Sequence, residues 1–148
     1  MKVYDRNCKK LNKEVADTDD LNDGEYLLKS FIWLISADNE VYLLKEDASF
    51  ESYIFLSGYT DGDFESVQAL LSDRIDNVND EKFVFVDREI SELNNTIYDV
   101  WLYEITPEQS EIGKKLLLFD KQKLKEYIRK KFVYDEIPCL NQYLNNEM

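Results

Sequence analysis

Residues 26–35 constrain the fold first, because they contain the unbroken apolar run Phe31-Ile32-Trp33-Leu34-Ile35 and end at the turn signal Ser36-Ala37-Asp38-Asn39. With that turn set aside, the run is too short for a comfortable helix and reads as a strand. Residues 41–44 then form the return strand of a hairpin. Two short strands around a turn at Arg6-Asn7 are expected before it, followed by an acidic loop over 17–24. Residues 53–56 read as a further strand that ends at Ser57-Gly58.

The next segment has a different period. Val67, Leu70, Leu71, Ile75 and Val78 form one apolar stripe at helical spacing, behind an N-cap at Asp63 and a turn at Asp61-Gly62. Strands are expected at 82–86, 96–105 and 116–119. Asp120 caps a second helix whose Leu124, Tyr127 and Ile128 face inward, and a final short helix follows Pro138. Strands, helix, strands, helix describes an α+β fold, an α/β/α layered domain with a mixed sheet. The 148 residues are read as a single domain, 1–148.

Composition limits the chemistry. The chain contains no histidine, which removes imidazole metal ligands, Ser–His and Cys–His pairs and imidazole bases together. Catalysis would have to come from carboxylates, lysines or tyrosines. Cys8 and Cys139 are two unpaired thiols rather than a disulfide framework. The formal charge of −13 repels nucleic-acid backbones and anionic membranes, so neither is an expected partner. Residues 114–148 hold eight basic and five acidic side chains, a net of +3, leaving −16 on the rest. The basic segment 114–131 is either a solvated amphipathic face or a docking surface for an acidic protein partner. Met1 leads into Lys2-Val3-Tyr4-Asp5 without an apolar signal core, and a cytoplasmic location is expected.

Beyond periodicity, the succession of hairpin, strand, Gly-containing loop, amphipathic helix, two strands and C-terminal helix resembles the Nudix family. Tyr4-Asp5-Arg6-Asn7, Lys10-Leu11-Asn12-Lys13-Glu14 and Leu21-Asn22-Asp23-Gly24-Glu25-Tyr26 look like the branch similar to isopentenyl-diphosphate isomerase. The hairpin from Phe31 through Leu44 continues that pattern. The resemblance implies a Nudix box: a Gly, five residues, a Glu, seven residues, Arg-Glu, an apolar residue, one residue, and Glu-Glu. In that family the Glu cluster holds Mg²⁺ or Mn²⁺, and the metal binds a diphosphate and activates water.

Laid on this chain, the box keeps Glu65-Ser66 and the buried positions Val67, Leu70, Leu71 and Ile75. The Arg-Glu pair becomes Asp73-Arg74, and Glu-Glu becomes Asn77-Val78. The box glycine falls on Tyr59, or on Gly58 if the loop carries one extra residue. The resemblance therefore makes Glu65 the candidate catalytic residue and Glu65, Asp73 and Asp76 the candidate metal ligands, against a solvated acidic face. Gly58 and Tyr59 are the candidate substrate-binding residues. Tyr59, Trp33, Trp101 and Tyr103 could line an aromatic pocket for a nucleotide or another small diphosphate, although core packing explains both tryptophans as well. The expected function is a Nudix-fold binding or regulatory module with a degenerate box and no resident cofactor. The alternatives are a divergent Mg²⁺- or Mn²⁺-dependent hydrolase and a protein–protein adaptor using the basic segment.

Overall fold

The structure, a computed structural model, describes residues 1–47, 50–111, 116–132 and 136–146. A two-stranded hairpin, β1 (Lys2–Tyr4) with β2 (Lys10–Glu14), precedes the main sheet, as the sequence predicts. The sheet is built on β3 (Leu27–Ile35), which carries the apolar run. It runs parallel to β8 (Thr96–Glu104) along its whole length, from Leu27 opposite Thr96 to Ile35 opposite Glu104. The other edge of β3 is divided. Residues 29–32 pair antiparallel with β6 (Leu56–Tyr59), and Ile35 pairs with Val41 of β4 (Val41–Asp47). β4 then leaves to pair with β5 (Phe50–Ile54) and β9 (Leu116–Phe119), while β7 (Val84–Ser91) pairs antiparallel with β8 at the far edge.

The run in β3 has no polar alternation because both faces are covered. Phe31, Trp33 and Ile35 pack with Leu124 and Ile128 of α3 (Lys121–Lys131) and with Leu140 and Tyr143 of α4 (Leu140–Leu144). Ile32 and Leu34 pack on the opposite face with Val67 and Leu71 of α1 (Phe64–Ser72). Helices thus lie on both faces of a mixed sheet, the α+β layered class expected from the element order. Among the described residues no helix is long and apolar enough to cross a membrane.

Several boundaries differ from the sequence expectation; β4, placed at 41–44, extends to Asp47. Residues 50–59 form two strands, not one, because the chain crosses at Phe55 from β4 to β3. Gly58 therefore lies inside strand β6, not in a loop. The helix of residues 64–78 stops at Ser72, with Asp63 Oδ1 accepting from the Ser66 N–H at 2.8 Å at its start. Beyond it Asn77 takes φ +58°, a left-handed conformation asparagine tolerates. The buried Gln109 side chain donates to the carbonyls of Asp76 and Asn77 at 3.1 and 3.0 Å, and this fixes the exit loop. Ile75 and Val78 still reach the α1 core, but from a loop. Finally, the strand placed at 82–86 begins later and runs longer. A short 3₁₀ turn, Asp80–Lys82, capped by the Asn79 side chain, precedes it. The one helix absent from the expectation is α2 (Pro107–Glu111), which carries Gln109.

Candidate functional site

The sheet itself separates the residues that the sequence brought together. Strand alternation places Gly58 and Tyr59 on opposite faces. Gly58 faces α1, where a Cβ would lie 2.5 Å from Leu70 Cδ2. The missing Cβ leaves room for the tip of the Leu70 side chain, which a methyl group here would displace. Tyr59 points to the α3 face, 45% exposed, with Lys29 Nζ 4.8 Å above its ring.

On the α1 side, Glu65 sits in the first helical turn, Asp73 is the C-cap and Asp76 follows in the exit loop. All three are exposed. The acids before the helix are otherwise engaged. Asp61 pairs with Lys2 at 3.2 Å, and the Asp63 carboxylate accepts from Ser66 at the cap, which holds it below its ordinary range. A Mg²⁺ or Mn²⁺ ion needs several oxygen ligands converging on one point. Among the described residues, one group of three acidic or thiol side chains converges to within 4.8 Å, and it is Asp87, Glu89 and Cys139. That group adjoins α4 on the other face of the sheet. Glu65, Asp73 and Asp76 do not converge, and so do not fit the ion that the fold family implies.

The group at α4 has a structural explanation. Glu89 accepts from the Cys139 backbone N–H at 3.1 Å and from its Sγ at 3.5 Å, tying the start of α4 to β7. Burial, with Glu89 beside it, pushes the Cys139 thiol up to about 12. A thiol held protonated in this way suits neither nucleophilic chemistry nor a hard cation.

A concavity among the described residues lies on the α3 face. It encloses about 560 Å³, bordered by the 3₁₀ turn Thr18–Asp20, strands β3 and β6, the β7–β8 turn and the segment after α3. Of the four aromatics proposed for a pocket, only Tyr59 borders it. Trp33 is fully buried, donates from Nε1 to the Pro138 carbonyl at 3.1 Å and stacks on Tyr143. Tyr103 is buried, its hydroxyl accepting from the Asn79 N–H at 2.9 Å. Trp101 packs on the α1 side with Phe64, Phe83 and Phe85. The cleft's other aromatic walls are Phe31, Phe55, Tyr98 and Phe132.

Two polar contacts on the α1 face, one half-buried and one buried, were not visible in sequence. Arg88 and Asp99 stand opposite each other on β7 and β8, with Nε and Nη2 donating to the two Asp99 oxygens at 2.6 and 3.1 Å. The acidic neighbour raises the Arg88 guanidinium further above its ordinary value. The Ser30 and Thr60 hydroxyls meet at 3.1 Å beside this pair's strand. The local signal was weak, because a charged residue in an acidic chain reads as surface until its cross-strand partner is known.

Of the basic segment, Lys114 and Lys115 lie outside the described residues. On α3, Lys121 and Lys123 lie over the rings of Tyr143 and Phe119, and Lys125, Arg129 and Lys130 are exposed.

No protein-family model and no curated protein matches the sequence. Solved structures do match the fold. DR0079 from Deinococcus radiodurans is similar at 7% identity with a TM-score of 0.65, over 89% of this chain and 90% of that one. A MutT protein of Aliivibrio salmonicida or Vibrio cholerae is similar at 14% identity and TM-score 0.58, over 82% and 98%. A MutT/Nudix family protein from Listeria innocua is similar at 10% identity and TM-score 0.55, over 81% and 92%. At such identities the likeness concerns the backbone alone. On topology, layers and these neighbours together, the chain has the Nudix fold.

Proposed function

We propose that this chain is a ligand-binding or regulatory module on a Nudix fold, without diphosphate hydrolase activity. One observation carries the reading: α1 ends at Ser72, and no three carboxylates along α1, its exit loop or the preceding turn converge on a point. The positions where the family places its glutamates are Arg74, Asn77 and Val78, and all three lie beyond the helix. A cation there would meet a guanidinium, an amide and a valine instead of shared negative charge. The β1–β2 hairpin, with its Tyr4–Glu14 sequence, further supports the branch similar to isopentenyl-diphosphate isomerase. The binding role rests on the cleft, which has the volume and the mixed aromatic and polar lining of a small-molecule site.

The test is turnover. Purified protein with millimolar Mn²⁺ or Mg²⁺ is expected to release no product above a no-protein control: no AMP from ADP-ribose, no ATP or AMP from diadenosine tetraphosphate, and no phosphate from isopentenyl diphosphate. Release that disappears in Glu65→Gln overturns the reading in favour of a divergent hydrolase.

A further inference from the structure

The cleft's chemistry differs from that of a diphosphate site. Among its described lining residues there is one cation, Lys29, and two carboxylates, Asp19 and Glu136. The Lys29 ammonium is already placed over the Tyr59 ring. A chain of two phosphates entering here would meet net negative charge, inside a protein whose formal charge is −13. With no converging ligand set at α1 to bring in a divalent ion, nothing described in the cleft offsets that repulsion.

The remaining lining favours another kind of molecule. Tyr59, 45% exposed, offers a ring against which a flat ring can pack, and the buried Phe31, Phe55 and Tyr98 form an aromatic floor beneath the cleft. Asn94 and Asn95 border the same space, and each side-chain amide brings a donor and an acceptor side by side. Hydroxyls of Thr18 and Ser57 add to the polar rim. The β7–β8 turn carries Leu93 at the rim of the cleft, 77% exposed, an apolar side chain outside the core. The half-buried amides favour a ligand with polar edges over an aliphatic one, and an anionic one would be repelled.

We infer that the cleft binds an uncharged, planar heteroaromatic molecule of nucleoside size, and selects against the same molecule once it carries a diphosphate. This inference rests on the reading of the chain as a ligand-binding module. It departs from that reading in naming a phosphate-free ligand.

The experiment is calorimetric titration of the full chain in EDTA, at low ionic strength. The probes are adenosine, guanosine, cytidine and uridine, each beside its 5′-diphosphate. At least one nucleoside is expected to bind, with its diphosphate at least tenfold weaker. Asp19→Asn with Glu136→Gln is expected to narrow that gap at least threefold, since both substitutions remove only charge. Tyr59→Ala, at an exposed position where folding is not at stake, is expected to weaken the nucleoside at least fivefold. Three results overturn the inference: no nucleoside binds, a diphosphate binds as tightly as its nucleoside, or neither variant changes the ratio or the affinity. A diphosphate that binds tightly without being hydrolysed defeats this inference alone. A diphosphate that is hydrolysed in the Mn²⁺ or Mg²⁺ turnover assay defeats the proposed function, so the two failures are distinguishable.

Discussion

Leu71→Ala is expected to lower the unfolding free energy by about 2–5 kcal/mol, whereas Glu65→Gln on the same helix changes it by about 0.5 kcal/mol or less. Leu71 is fully buried between α1 and the sheet, in the cluster that holds Ile32, Leu34, Leu56 and Tyr103. Removing three carbons there loses their transfer energy and leaves a cavity that rigid strands cannot close. Glu65 is exposed in the first turn, where its charge interacts weakly with the helix dipole. Urea unfolding followed by circular dichroism gives both values. A helix kept for metal chemistry would be expected to show the opposite economy, with a functional carboxylate held in strain that its neutral replacement relieves. A stabilisation of more than about 1 kcal/mol by Glu65→Gln contradicts the packing account.

The second large effect lies at Arg88. Replacing it with methionine leaves the Asp99 carboxylate, whose side chain is 9% exposed, without its two guanidinium hydrogen bonds. Fully buried pairs broken on one side cost about 3–5 kcal/mol. Here the Arg88 side chain is 46% exposed, so water reaches the gap and the expected cost falls to about 1–3 kcal/mol. Adding Asp99→Leu to Arg88→Met removes the orphaned charge and is expected to recover at least half of the loss. A double-mutant cycle in urea measures this directly. If the double variant is less stable than Arg88→Met, the pair is not the source of the effect.

Much of the fold was legible because its cause is local. The run ending in Phe31-Ile32-Trp33-Leu34-Ile35 was too short for a comfortable helix and read as a strand, and Asp63 and Asp120 mark their helices by side-chain caps that the structure bears out. What local patterning could not supply was the point where the α1 stripe stops being a helix. Ile75 and Val78 keep helical spacing and remain in the core, yet the chain leaves the helix at Ser72. The carbonyls beyond it are satisfied by Gln109, more than thirty residues away in sequence. For the same reason Gly58 looked like a loop residue. A glycine beside the turn at Asp61-Gly62 reads as part of it, and only its pairing with Ser30 of β3 shows that it belongs to a strand.

The candidate site was legible in one residue. Tyr59 was singled out beside Gly58, and it borders the cleft, but through the alternation of β6 rather than through a loop. Asp19, Lys29, Asn94, Asn95 and Glu136 come from four segments of the chain, and no spacing along the sequence connects them. Conversely, Glu65, Asp73 and Asp76 share a sequence frame without sharing a point in space. A motif register assumes that the helix continues, and here it does not.

Binding of Mn²⁺ tests the central claim, that α1 is retained for packing after its metal chemistry was lost. Electron paramagnetic resonance of free Mn²⁺, titrated into wild-type protein and Glu65→Gln at equal concentration, counts the bound ions. The two curves are expected to superimpose, since any weak binding to an acidic surface is indifferent to one exposed carboxylate. A wild-type site with a dissociation constant below about 100 μM that weakens at least tenfold in Glu65→Gln, a difference of about 1.4 kcal/mol, contradicts it.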